Sequence, residues 1–238
     1  MKMRLDQALV ERGLAQDIAH ARALIMAGQV SGDGRLLDKP GFSVLTDASL
    51  HVKVQPRYVS RAGDKLASVA GHLGLQFDGQ VVLDVGSSTG GFTDYALQHG
   101  ATRVYCVDVG TAQLAYRLRQ DKRVVVMERT DIRDVQLPEQ PTIAVVDVSF
   151  ISLTKVLDPT ANLLVAGSLI AAMAKPQFEA TREVADRWHG VIPEGADRDK
   201  IIMDLRRWLA GRFLILNEAD SGVAGSEGNI ERFFLLTN

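Results

Sequence analysis

The segment VVLDVGSSTGGFTDYAL, residues 81–97, constrains the fold more than any other part of the chain. An apolar run from Val81 to Val85 stops at a glycine cluster, Gly86, Gly90 and Gly91, and a helical pattern follows. A strand, a tight turn and a helix N-terminus in that order form a place where an α/β sheet lets a ligand approach backbone N–H groups. A second apolar run, 103–109, carries Asp108 near its end, 22 residues after Gly86. An acidic side chain at that distance can accept hydrogen bonds from ribose hydroxyls. Together the two runs predict a nucleotide-type cofactor site, without saying which cofactor.

Beyond residue 80 the same grammar repeats. Apolar runs at 81–85, 103–109, 124–128, 142–148, 169–174, 212–216 and 231–236 alternate with helical patterns at about 92–99, 112–119, 152–165 and 197–211. Near-continuous apolar strands interleaved with helices predict an α/β fold with a mostly parallel, doubly wound sheet. Seven strands, the last without a following helix, suit a Rossmann-like methyltransferase sheet, with a dinucleotide-binding domain as the competing reading. Such sheets bind ligands at the carboxyl ends of their strands. Those ends carry Gly86, Asp108, Thr130 with Asp131, Asp147 and Lys175. Glu231 instead opens the last run, and it reaches the same edge only if that strand is antiparallel to the others.

The 238 residues leave room for a second, smaller domain at the front. Leu5, Ala8, Leu9 and Val10 recur at helical spacing up to Gly13, and Asp17 is placed to cap a second helix that stops at Gly28. An Asp33-Gly34 turn and an alternating strand over 49–54 follow. Arg4, Arg12, Arg22, Arg35 and Lys39 lie off the apolar faces. Eight basic against six acidic residues precede residue 61, so arrangement matters more here than net charge. Pro56 and the change of pattern predict a linker over 55–60, between a domain at 1–54 and another at 61–238. A helix is expected over Arg61–Leu73, with Lys65 as an ordinary solvated lysine by periodicity alone.

Composition narrows the classes. A hydrophobic share of 46% with 24% charged residues is that of a soluble globular chain. The single cysteine, Cys106, lies within an apolar run and reads as a buried strand residue, which fits a reducing compartment. No signal-peptide pattern opens the sequence, and its longest apolar stretch, 163–174, is interrupted and short for a bilayer. A cytoplasmic location is expected. The five histidines show no ligand spacing, so no metal is expected.

The front segment RLDQALVERGLAQDIAHARALIMAGQVSGDGRLLDKPGFSV resembles the small RNA-binding domain first described in ribosomal protein four of the small subunit. That resemblance implies RNA contacts at Arg4, Arg22 and Arg35. The motifs YVSRAGDKL, LDVGSSTGGFTD, VDVGTAQL, ERTDIRD, DVSFISL, KPQFE and SGVAGSEGNIE, in that order, resemble the TlyA family. These are FtsJ-like, S-adenosylmethionine-dependent ribose methyltransferases of ribosomal RNA, some labelled haemolysins. The resemblance implies a catalytic tetrad of Lys65, Asp147, Lys175 and Glu231. It implies cofactor contacts at Gly86, Ser87, Ser88, Thr89, Gly90, Gly91, Asp108, Asp131 and Asp147. It also implies ribosomal RNA, within ribosomal subunits, as partner and cytidine as the target base. Of the two lysines, Lys175 is the candidate base and Lys65 the group that positions the hydroxyl. After KPQFE the chain departs from the family: ATREVADRWHGVIPEGADRD stands where a glycine-rich loop is usual, on the expected substrate side. The alternatives are a haemolysin, an RNA-binding protein without methyltransferase activity and, least suited to the paired lysines, an oxidoreductase. A haemolysin would call for an amphipathic or apolar membrane segment, and none is evident.

Overall fold

The computed structural model describes residues 2–53, 56–225 and 227–237. The chain divides into two compact units, Met1–Pro56 and Arg57–Asn238. The domain boundary expected at Val54 and Gln55 lies outside the described residues.

The N-terminal unit begins with β1 (Lys2–Arg4), α1 (Leu5–Glu11) and α2 (Ile18–Met26). Gly13 takes a positive φ after the first helix, and the Asp17 carboxylate accepts from His20 N at 2.7 Å to cap the second. The strands β2 (Val30–Gly32) and β3 (Arg35–Leu36) pair through a turn in which Asp33 and Gly34 both have positive φ. That is the primed turn an Asp-Gly pair favours. The strands β4 (Ser43–Leu45) and β5 (Leu50–Val52) complete two small sheets around Leu5, Leu9, Ile25 and Val30.

The larger unit opens with α3 (Arg61–Leu73), closed by Gly74 in the left-handed region. The first half of the sheet follows as β6 (Val81–Val85), α4 (Gly91–Gln98), β7 (Arg103–Asp108), α5 (Tyr116–Arg119) and β8 (Val124–Glu128). The second half comprises β9 (Ile143–Val146), α6 (Leu157–Leu163), β10 (Leu169–Ala174), α7 (Pro176–Glu179), α8 (Arg182–Arg187), α9 (Ala196–Ala210), β11 (Leu214–Asp220) and β12 (Arg232–Thr237). All seven strands join one sheet in the order β11-β12-β10-β9-β6-β7-β8, and β12 alone runs opposite to the other six. Alternate residues face opposite layers. Val82, Val104, Cys106 and Phe233 pack under α3 and α4, while Leu83, Val107, Val146 and Phe234 pack under α6 and α9. Burial on both faces explains the unbroken apolar runs.

Three expected elements differ. The helix expected over 112–119 is shortened to α5, because the N–H groups of Ala112, Gln113 and Leu114 donate to the Glu128 carboxylate. The helix expected over 152–165 splits into a 3-10 turn (Leu153–Lys155) and α6, with Glu179 accepting from Leu153 N at 2.8 Å. Tyr58, read as part of the linker, is buried against Tyr95, with ring centroids 5.5 Å apart. Val59 N donates to Asp94 at 2.8 Å, so this segment packs with the larger unit.

Candidate active site

The chain reverses its direction of strand addition between β6 and β9, which opens a crevice at their carboxyl ends. Gly86 ends β6 with φ +81°, and a Cβ there would collide with the Asp147 carbonyl at the end of β9. Gly90, with φ +97°, presses on Leu114 and Leu118, and Gly91 on Ser60 and Gly63. These three glycines are needed for close packing within the protein. Ser88, itself at φ +46°, aims its N–H at Asp108 Oδ2, 2.7 Å away.

Around this loop lie three adjoining clefts. A slot of about 250 Å³ is lined by Gly86, Ser88, Asp108, Asp131 and Asp147, with Val85, Val109, Ile132 and Ile151 as apolar walls. Asp108 Oδ1 also accepts from Gly110 N at 2.7 Å, which fixes the carboxylate across the slot mouth. Asp131 is held by Arg133 at 2.6–2.8 Å, and this guanidinium lowers its pKa to about 2. A second cleft, about 460 Å³, is lined by Ser87, Ser88, Thr89, Asp84, Lys65 and Lys175 among others. Gly90 and Gly91 line neither. The third, about 740 Å³, contains Lys65, Lys175 and Glu231.

The four residues of the expected tetrad meet here as two ion pairs. Lys65 Nζ lies 2.6 Å from Glu231 Oε1, and Lys175 Nζ lies 2.6 Å from Asp147 Oδ1. Antiparallel pairing sets Arg232 opposite Ala174, so Glu231 starts its strand at the edge where Lys175 ends another. Lys65, expected from periodicity to be solvated, has a side chain only 11% exposed because α3 turns it onto Glu231. Glu231 Oε2 and Asp84 Oδ1 are buried acceptors without a hydrogen-bond partner among the described residues. Burial raises the Asp84 pKa to about 7, against the hydrogen bonds from Thr93 N and Oγ1 to its other oxygen.

Residues 58–238 match the FtsJ-like methyltransferase family. The chain belongs to that family. Residues 3–50 match the S4 domain. YqxC of Bacillus subtilis (strain 168), provisionally named an rRNA methyltransferase, is 44% identical over 241 residues, spanning 99% of this chain and 85% of that protein. The 16S/23S rRNA (cytidine-2'-O)-methyltransferase TlyA of Mycobacterium tuberculosis (strain ATCC 25618 / H37Rv) is 36% identical over 242 residues, 99% of this chain and 90% of its own. A solved Streptococcus thermophilus structure, provisionally named a hemolysin, superposes with a TM-score of 0.73 at 37% identity, covering 100% of this chain and 88% of the other.

Sequence reasoning missed several groups in the FtsJ-like domain. Ser149 Oγ accepts from Lys175 Nζ at 2.7 Å and lines all three clefts. Phe150 has φ +64° and is 91% exposed, with its ring 5.0 Å from that of Phe178. Strain of this kind concentrates at functional sites. The DVSF motif was the available signal, but nothing local told its serine from a turn residue. The segment that departs from the family forms α8, and His189 follows at φ +49°. The Asn229 amide clamps the next turn, donating to Gly190 O and accepting from Ile192 N, both at 2.8 Å. Asp186, His189 and Gly190 thereby become one wall of the largest cleft.

In the S4 domain, Arg4 and Arg22 converge on Asp6. Arg35 is apart from them, on a groove of about 500 Å³ that also includes Lys2. Arg12 is occupied differently, donating to the carbonyls of Ala48 and Thr46. Cys106 is buried, as its strand position suggested, with Thr93 Oγ1 3.0 Å away. Among the described residues no helix is long and apolar enough to cross a membrane.

Proposed function

We propose that this protein transfers a methyl group from S-adenosylmethionine to the ribose 2'-hydroxyl of a cytidine in ribosomal RNA, within a ribosomal subunit. The observation that carries this reading is the arrangement of two largely buried lysine–carboxylate pairs where a slot with apolar walls and acidic side chains adjoins a larger open cleft. The TlyA relative's name supports the RNA, the base and the 2'-oxygen as targets. The S4 domain supports RNA as the partner.

The residues fit the methyl donor. Apolar walls with carboxylates at the rim suit a nucleoside, and the unpartnered Asp84 Oδ1 beside the neighbouring cleft suits an ammonium group. Asp108 would hold the ribose hydroxyls, Asp131 and Ile132 the base, and Ser87, Ser88 and Thr89, with Asp84 and Asp147, the amino-acid end. When bound, S-adenosylmethionine supplies an electrophilic sulfonium methyl group.

A ribose hydroxyl is a weak nucleophile until its proton is withdrawn, so the chain must supply a base and alignment. Lys175 Nζ in its neutral form accepts the hydroxyl proton. The ammonium so formed is held by Asp147 at 2.6 Å and Ser149 at 2.7 Å, which is the pairing observed. Lys65 donates to the same ribose oxygen while Glu231 keeps its Nζ in place. Phe150 presents an aromatic face on which an unstacked base can rest.

The test is incubation of the protein with ribosomal subunits and methyl-labelled S-adenosylmethionine, followed by mapping of the label. Label on a cytidine 2'-oxygen, lost in Lys175→Ala, is the expected result. Cofactor binding without label on subunits or naked RNA would refute the substrate, and absent cofactor binding would refute the whole reading.

A further inference from the structure

Asp6 sits in the first turn of α1 and is 1% exposed, yet it is surrounded by charge rather than by apolar side chains alone. Its Oδ1 accepts from Arg4 Nε at 3.0 Å and from Gln7 N at 3.1 Å. Its Oδ2 accepts from Arg4 Nη2 at 2.8 Å and from Arg22 Nε at 3.0 Å. The buried carboxylate therefore grips Arg4 by a two-bond fork and Arg22 by one edge. Both arginine side chains stay half exposed, at 50% and 52%. Arg4 Nη1 and both Nη groups of Arg22 lie outside these contacts with Asp6.

We propose that Asp6 is a positioning residue: it preorganises Arg4 and Arg22, the RNA contacts that the S4 resemblance implies, as one fork for the phosphodiester backbone. The inference rests on the RNA reading above, in which Arg4 and Arg22 are already the expected contacts, and adds Asp6 as the residue that positions them.

Two guanidiniums repel each other, and each long side chain loses rotamer freedom when a ligand fixes it. A shared carboxylate removes both obstacles before the ligand arrives. It screens the mutual repulsion and holds each fork in one orientation, leaving a net charge of +1 on the triad. Less ordering then remains to be done on binding, which is the general benefit of preorganisation. The pKa of Asp6 is lowered to about 2 by these arginines, so the arrangement persists across the working pH range. Arg12 provides the contrast: its guanidinium closes a turn onto the Ala48 and Thr46 carbonyls.

A positioning role and a charge role predict opposite signs for one substitution. Asp6→Asn keeps the size of the side chain and raises the net charge by one. If charge alone governs, RNA binds more tightly; if positioning governs, it binds more weakly. The experiment measures the affinity of the full chain for unmodified 16S and 23S ribosomal RNA transcripts over a range of salt. Expected is about tenfold weaker binding for Asp6→Asn, from two side chains that must now be ordered by the ligand. On an Arg4→Ala/Arg22→Ala background, Asp6→Asn should add little, and that background itself should flatten the salt dependence, because fewer counterions are released. Equal or tighter binding by Asp6→Asn overturns the proposal.

Arg4→Lys and Arg22→Lys guard against simple unfolding. Both keep the charge at half-exposed positions, and each should weaken binding because an ammonium cannot reproduce the fork. Unchanged affinity in both lysine variants also overturns the fork. In either overturning case a wild-type chain that binds RNA leaves the RNA reading standing. A wild-type chain that binds neither transcript refutes that reading together with the fork.

Discussion

In the S4 domain a buried acid holds two half-exposed arginines, whereas in the FtsJ-like domain acid and lysine are withdrawn together, twice, with every side chain at most 16% exposed. On the proposed function, the difference matches what each cation has to meet. A half-exposed guanidinium keeps N–H groups for a large, flexible, anionic partner. A buried ammonium keeps its nitrogen in one place for a single small atom, and its carboxylate supplies the compensation that burial demands. On that reading the same residue chemistry serves recognition in one unit and positioning of reacting atoms in the other.

Lys175→Ala should break the second half of this comparison most severely. Loss of a positioned proton acceptor should lower kcat by about 10² to 10⁴-fold, with cofactor affinity retained, as single-turnover kinetics and calorimetry would check. Retained activity would mean that Lys175 is only a partner for Asp147.

Glu231→Gln should cost about 3–5 kcal/mol of stability, because it leaves the Lys65 ammonium buried without its counter-charge. Lys65→Met/Glu231→Gln should recover most of that stability in denaturant unfolding while remaining inactive. This outcome separates the chemical need for the pair from its structural role. By contrast, Arg22→Ala in the S4 domain should change stability by no more than about 1 kcal/mol, since its charge is half solvated.

Asp84 offers a test with pH. Its folded-state pKa of about 7 lies above the ordinary aspartate value near ~3.9, so between those pH values the native state holds more protons than the unfolded chain. Stability should therefore be fullest below about pH 4 and decline as pH rises towards 7, with a slope approaching about 1.4 kcal/mol per pH unit. Asp84→Asn should flatten that slope in urea titrations and weaken cofactor binding at the same time. A slope that persists would assign the pH dependence to other groups.

His189→Gly has the smallest expected effect. Glycine accepts φ +49° without strain, so stability should rise by at most about 1 kcal/mol. The KM for RNA should increase modestly if the imidazole on the cleft wall touches the substrate. Equal KM values would limit His189 to a bystander on that wall.

Much of the fold is legible in the sequence, and the reason is local. Strands β6 and β10 follow their apolar runs, α3 spans the expected Arg61–Leu73, and Asp17 caps α2 through its own carboxylate. These features depend on hydrophobic periodicity and on groups within a few residues. The shortened α5 was not legible, because its first N–H groups are taken by Glu128, which arrives on a later strand. The 3-10 turn before α6 depends in the same way on Glu179, 26 residues beyond the N–H it accepts from.

The candidate site divides along the same line. The glycine loop, the acids at strand ends and the type of each tetrad residue are written in the chain, and the family resemblance put them in order. Periodicity by itself assigned Lys65 to solvent. Its pairing with Glu231, 166 residues away, requires β12 to run antiparallel beside β10. The separation of the tetrad into two pairs, the place of Ser149 beside Lys175 and the cleft wall held by the Asn229 clamp likewise depend on strand order. The sequence by itself determined which groups exist and which elements carry them, because helices and strands answer to short-range chemistry. Only the tertiary structure decided which groups meet, because contact between distant residues depends on how the whole sheet is ordered and which way each strand runs.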